Sequence, residues 1–433
     1  MHRQKPPSGK PLGLPELLAI ALGGMIGGGI FTILGISVSI VGVYAPLAIG
    51  MGAIVAALAS YSYVKLALFY RDEGATYSFF KRSYPEHPLA ASLIGWWVIF
   101  GYISTIALYS YTFASYAISD SAWAQNDLVR KAVALAVIGF FTLINLWSVK
   151  GMGRIEDLMV YTKILFLLLI SGLLLANGRT TLPQLVEQSP PLSLWGLLIV
   201  ASVTFVAFEG FQLVINAMNE MTDPARNIPR AIYGAIAIAA GVYVVIAAGA
   251  VLAIPFEDIL RDKEFALAAG TRDTLGNMGS AIVIAGALLA TMSAISGTLF
   301  GASRQMAVIA TDGFLPMFLA HRSGGIPRRA ILAMALTASA LVLAGSLRVI
   351  LEFGSVTFLL VSFLMAVANH RMRDKTRSHM LMTVFSMVTL LGGTGIILWY
   401  EAITAPEQLI FILSIYGLLT LGALAWARRL RWR

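Results

Sequence analysis

GGMIGGGIF, Gly23 to Phe31, and TFVAFEGF, Thr204 to Phe211, interrupt two stretches that otherwise read as membrane-crossing helices. In the first, five glycines fall within the seven positions from Gly23 to Gly29. Each glycine disfavours a helix interior by roughly 1 kcal/mol relative to alanine, so the run favours unwinding. Unwound backbone carries amides and carbonyls that lipid cannot solvate, and it is tolerated only where they face protein or a watered cavity. Glycine between membrane helices also serves close packing, but consecutive glycines fall all around a helix and form no single packing face. A matched pair of breaks, half a chain apart, is the pattern of a binding site near the middle of a bilayer.

Outward from the breaks, the composition sets the setting. Hydrophobic residues make up 58% of the 433 positions and charged residues 12%, about half the charged share of an ordinary soluble domain. A conventional soluble enzyme is excluded. An apolar stretch needs about 20 residues to cross a hydrocarbon core of roughly 30 Å. Twelve such stretches can be placed, the first over 14–40 and the last over 407–427. No short apolar run with a small-residue cleavage site precedes them, so the first span is expected to be retained.

The breaks lie in spans one and six. Five is odd, so the second copy enters the membrane from the opposite side, an inverted repeat of five plus five. The predicted fold is an all-α integral membrane protein of twelve transmembrane helices with helices one and six broken. Its parts are a cytoplasmic amino-terminal segment (1–13), a first repeat (14–176), a second repeat (194–369), an appendage of two helices (380–427) and a basic tail (428–433). The longest loop, about residues 255 to 278, is expected to form a small external helix. Pro15, Pro229 and Pro327 each lie near a predicted first helical turn, where a missing amide hydrogen costs nothing.

The net charge of +9 raises the question of nucleic acid, but the positive charges cluster by side. With the amino terminus inside, the inner segments hold twenty-one Lys and Arg. The outer segments hold seven: Arg130, Lys131, Arg179, Arg261, Lys263, Arg272 and Arg348. This bias places both termini in the cytoplasm, with the lipid bilayer as partner and no nucleic acid. Cysteine is absent, which excludes disulfides and thiolate metal sites. The five histidines, His2, His87, His321, His370 and His379, all fall in predicted cytoplasmic segments. No buried imidazole is therefore expected for a proton relay, a zinc site or an intramembrane hydrolase, and no pair of membrane aspartates is present. The chain is not expected to be an enzyme. A channel is disfavoured because nothing resembles a repeated selectivity ring.

A helix that ends at the membrane centre leaves up to four carbonyls unpaired, and one that starts there leaves up to four amides. An amino acid zwitterion has the complementary groups. Gly27, Gly28 and Gly29 can present amides to an anion at the positive end of the following half-helix. Met25 and Ile26 can turn carbonyls toward a cation, and Val206, Ala207 and Glu209 can do the same in span six.

GGMIGGGIF resembles the first-helix signature of the amino acid, polyamine and organocation transporter superfamily. FVAFEGFQLVINAMNEMTDPARNIPRAI (Phe205 to Ile232) resembles its sixth helix and following loop. GATYSFFKRSYPEHPLAASLIGW (Gly74 to Trp96) and SGTLFGASRQMAVIATDGFLP (Ser296 to Pro316) match further, in the family's order and spacing. The resemblance implies the LeuT-type inverted-repeat fold and import or exchange of amino acids or related amines. It implies that Met25 offers a carbonyl to the substrate ammonium, that Gly28 and Gly29 offer amides to its carboxylate, and that Val206, Ala207 and Glu209 offer carbonyls to the same ammonium. Phe208 resembles an aromatic beside the pocket. The span-six gate, often aromatic in relatives, is Val206 here, so closure by one large ring is not expected. Phe205, Phe208, Tyr102 and Tyr109 are expected to shape the part of the pocket that selects a side chain.

Two ionisable residues stand inside predicted spans, Lys163 in span five and Glu209 in span six. Each costs roughly 2.5 to 3.5 kcal/mol at a helix centre on insertion scales. Lys163 has a bland reading, in which its long stem snorkels to the interface. YTKILFLLLI (Tyr161 to Ile170) is similar, however, to the span-five segment of proton-coupled relatives that place a lysine where sodium-driven relatives bind an ion. That resemblance implies a proton as coupling ion rather than sodium, with no other cofactor, and hydroxyls from Thr291, Ser293 and Ser296 completing the pocket. The function expected is secondary active transport of amino acids by proton symport, with an ion-independent amino acid or polyamine exchanger as the alternative. Glu209 has three readings: contact with a cationic substrate, proton transfer, or a structural acceptor for the broken helix.

Overall fold

The computed structural model describes residues 12–72, 75–147, 152–178, 181–218, 220–262, 265–323 and 326–430. Residues 1–11 of the expected amino-terminal segment and Arg431 to Arg433 of the basic tail lie outside the described residues, as do Gly74, Lys150, Arg179 and Lys263.

The first span is two helices. Leu14–Met25 (α1) opens with Pro15 in its first turn, and Gly29–Val41 (α2) resumes after a short non-helical stretch. Gly42, at a positive φ of 55°, turns the chain over into Ala45–Tyr70 (α3). Ala75–Ser83 (α4) is short and amphipathic. Pro88–Ala117 (α5), Asp127–Trp147 (α6) and Met152–Ala176 (α7) follow, and Leu182–Gln188 (α8) is a brief link.

The sixth span is broken more deeply than the sequence suggested. Leu194–Thr204 (α9), capped by the Ser193 hydroxyl accepting from the Gly196 amide, gives way to tighter three-residue turns. These run over Phe205–Phe208 and Phe211–Ala217, separated by Gly210 at a φ of 119°. The α-helical winding never resumes before the span ends.

Pro224–Ala253 (α10) corrects one expectation: the helix starts at Pro224, so Pro229 lies inside it rather than in its first turn. Phe256–Arg261 (α11) supplies the expected small helix, and Ala266–Thr311 (α12) bends at Gly276, φ 71°. Arg328–Ala344 (α13) begins directly after Pro327. The chain ends with Leu347–Arg371 (α14), Arg373–Thr376 (α15), Met380–Thr404 (α16) and Pro406–Leu430 (α17).

Among the described residues, nine helical runs are long and apolar enough to cross a membrane. Twelve stretches were expected. The difference is that Gly29–Tyr70 is one continuous run across Gly42, while α6, with three charged residues in its first five positions, and α13, with 17 residues, fall outside the nine.

The core forms where α3 packs on α10, α5 on α12 and α14, and α7 on α10 and α12, with α1 lying against α10. The most apolar window of α14 is 83% buried and that of α17 only 17%. The last helix therefore sits at the periphery, its outward face of Leu413, Leu418 and Leu421 left for lipid.

Candidate substrate and coupling site

The two breaks touch. A Cβ on Gly210 would stand 2.5 Å from the carbonyl carbon of Gly24, and one on Gly29 would stand 2.8 Å from Cβ of Ala207. The sequence set unwinding against close packing as rival uses of the glycines, and the fold uses them for both. At Gly24 and Gly210 backbone meets backbone because neither residue carries a side chain. Since α2 begins at Gly29 with Gly28 before it, the amides of Gly28 and Gly29 are among those for which the helix itself offers no acceptor.

The carbonyls at the breaks have definite partners. The Tyr243 hydroxyl, from α10, lies 3.0 Å from the carbonyl oxygen of Met25 and 3.1 Å from that of Ala207. The Met25 carbonyl also accepts from the Gly27 amide at 3.0 Å, and the Val206 carbonyl accepts from the Glu209 amide at 3.2 Å. Tyr109 of α5 reaches the Gly24 carbonyl at 3.4 Å. A carbonyl oxygen has two lone pairs, so those of Val206 and Ala207 keep acceptor capacity beyond these bonds.

Lys163 does not snorkel. Its side chain is fully buried, and Nζ donates to the carbonyl oxygens of Ile26 at 2.6 Å and Gly23 at 2.9 Å, with Ser293 Oγ at 3.5 Å. The carbonyls are the unpaired ones at the end of α1, so the ammonium from α7 caps a helix whose dipole is negative at that end. Ile26, expected beside the substrate, therefore faces the lysine. Of the three hydroxyls expected around Lys163, Ser293 reaches it. Thr291 turns back onto the carbonyls of Ala287 and Leu288, and Ser296 lies buried about one turn further along α12.

Glu209 is buried and tied to its own broken segment. Gln212 donates from Nε2 to Glu209 Oε1 and to the Tyr102 hydroxyl, the latter at 3.0 Å, while its Oε1 accepts from the Gly210 amide at 3.1 Å. Gln212 thus staples both sides of the turn at Gly210 and links it to α5. Phe208 packs its ring against Tyr243, centroids 5.3 Å apart, and Phe205 is wholly buried. Val206 lies under Gly354 of α14, where an added Cβ would come within 3.3 Å of it. Among the described residues no group of three His, Cys, Asp or Glu is placed to hold a metal ion.

A family model described as amino acid permease matches residues 12–421. The chain belongs to the amino acid permease family. The permease is 29% identical to the inner membrane transport protein YbaT of Escherichia coli, over 90% of this chain and 91% of that one. It is 25% identical to the branched-chain amino acid permease BcaP of Bacillus subtilis, over 71% and 68% of the two chains. Among solved structures, a mutant of the manganese transporter of Eremococcus coleocola superposes with a TM-score of 0.62 at 12% identity, covering 95% of the permease and 92% of that chain. At that identity the likeness is one of fold alone, the LeuT-type fold with broken first and sixth helices. The permease is a multi-pass membrane transporter and not an enzyme.

Sequence reading missed two residues that organise the site of the permease. Tyr243 carries the one polar side chain between Tyr233 and the end of α10, and a lone hydroxyl in an otherwise apolar span was the available signal. Gln212 stands three residues after Glu209, a spacing at which a side chain can bond back across a turn.

Proposed function

We propose that the permease carries amino acids across the cytoplasmic membrane by alternating access, as a proton symporter, with both termini in the cytoplasm. The substrate zwitterion binds at the two breaks. Its carboxylate meets the amides of Gly28 and Gly29, and its ammonium meets the carbonyls of Val206, Ala207 and Glu209, with Phe208 beside them; the Gly27 amide and Met25 carbonyl, expected to join them, are bonded to one another in this state.

The observation that carries the coupling is the buried Lys163 ammonium on the carbonyls of Gly23 and Ile26. A sodium ion at this place would be held by the same class of oxygen, so the ammonium occupies a cation site permanently unless it sheds its proton. Loss of the proton removes one donor and the charge, releases the end of α1, and so ties proton movement to helix movement. Ser293 supports this pocket from α12.

A second reading, an ion-independent exchanger of amino acids or polyamines, draws on the same contacts. The carbonyls of Gly23 and Ile26 and the Ser293 hydroxyl all accept from the ammonium, as a fixed cation would require.

The test is reconstitution in liposomes with a panel of labelled amino acids and an imposed proton or sodium gradient. The symporter accumulates substrate when the proton gradient alone is present, and Lys163→Ala abolishes that accumulation while leaving exchange. Counterflow with no pH dependence, or undiminished proton-driven uptake in Lys163→Ala, would overturn the coupling.

A further inference from the structure

Arg348, in the first turn of α14, holds two buried carboxyl groups at once. Its Nε donates to Glu352 Oε1 at 2.8 Å and its Nη2 to Glu401 Oε1 at 2.7 Å. Glu352 lies one turn along the same helix and Glu401 comes from α16, which packs along α14. The side chains of both acids are nearly or fully buried, 2% and 0% exposed.

Nε and Nη2 form one edge of the guanidinium, the edge that ordinarily takes both oxygens of a single carboxylate. Here two carboxylates share it, one oxygen each, so they stand side by side on adjacent nitrogens of one planar group. Their other oxygens, Glu352 Oε2 and Glu401 Oε2, are buried with no hydrogen-bond partner. Two anions against one cation leave an uncompensated negative charge in a water-poor setting, and two acceptor-only groups lie adjacent. Like-charged carboxylates this close do not both stay ionised. One proton resolves both problems, since a carboxylic acid has a donor for its neighbour.

We propose that Glu352 and Glu401 form a second proton-binding site of the permease, a carboxyl–carboxylate pair that shares one proton on the Arg348 edge. Among the described residues, the charged groups acting on Glu352 are Arg348 and Glu401. The other neighbours of the guanidinium are uncharged, the Tyr400 ring at 5.4 Å and the Thr404 hydroxyl at 3.4 Å. The route for the proton is a cavity of about 160 Å³ lined by Arg348, Leu347 and Tyr400 on one side and by Thr32, Ile36 and Ile40 of α2 on the other. The site thus opens beside the helix that starts at the first break and is independent of Lys163.

The experiment is infrared difference spectroscopy of the full-length protein in lipid at neutral pH, reading the carbonyl absorption of protonated carboxyl groups. Wild type is expected to exceed Glu352→Gln by one protonated carboxyl, and Glu401→Gln by the same amount. With either acid gone, the remaining one has the guanidinium to itself and ionises. The double substitution removes no more than either single one, which marks a shared proton. Equal absorption in wild type and both single variants overturns the proposal, as does an additive loss in the double variant. Absorption that falls when sodium chloride replaces potassium chloride at constant pH also overturns it, because the occupant is then a metal cation. Should the variants fail to fold, a comparison of wild type with Glu209→Gln decides. A protonated-carboxyl band that survives in Glu209→Gln supports the pair, and its absence refutes it.

Discussion

Met25 and Ala207, one from each broken helix, share a single hydrogen-bond donor, the hydroxyl of Tyr243, at 3.0 and 3.1 Å. A net hydrogen bond of this kind contributes about 1 kcal/mol. Tyr243→Phe keeps the ring that packs on Phe208 and removes only the shared donor. The expected result is a roughly fivefold weaker apparent substrate affinity in liposome exchange, with the dependence on a proton gradient unchanged. A variant with wild-type affinity shows that the hydroxyl does not organise the carbonyls.

Lys163→Met keeps the apolar stem in its buried slot and deletes the ammonium that holds Gly23 and Ile26. Net accumulation under a proton gradient is expected to fall to the passive level, while counterflow of labelled against unlabelled substrate continues. Measuring both in the same proteoliposomes separates loss of coupling from loss of protein.

Gly210→Ala forces a methyl group into the backbone of Gly24 and places alanine at a φ of 119°. Overpacking and a disfavoured backbone each cost roughly 1 to 3 kcal/mol. The thermal midpoint of the purified protein should drop by several degrees or the protein should fail to accumulate. Gly241→Ala, where an added Cβ meets nothing within 4 Å, should leave the midpoint near wild type.

Glu209 bonds to Gln212 within its own segment, which favours the structural role among its three readings. Glu209→Gln should therefore reduce uptake of alanine, leucine, arginine and putrescine to a similar degree. Selective loss of arginine and putrescine would instead assign Glu209 to recognition of a positive charge.

The breaks were legible because their cause is local. Five glycines between Gly23 and Gly29 cannot hold a helix in lipid, and α1 ends at Met25 as that reading required. Lys163 was legible as an anomaly, a charge in an apolar span, although its partners were not. The carbonyls it holds belong to a segment about 140 residues earlier, and nothing in the intervening sequence encodes that distance. Glu352 and Glu401 lie near helix ends, where a charge draws no notice in the sequence. Their burial follows from the packing of α16 on α14, a tertiary fact with no periodic signature. Pro229 was misplaced because Pro224 serves the first turn of the same helix and either proline satisfies the local rule.

The contact of Gly24 with Gly210 leaves nothing compressible between the lower part of the first span and the sixth. Two main chains pressed together slide poorly, so α1 and the segment Phe211–Ala217 must travel as one lever. Spin labels placed on those two segments should keep a constant separation through the transport cycle, while either one changes its distance to α5.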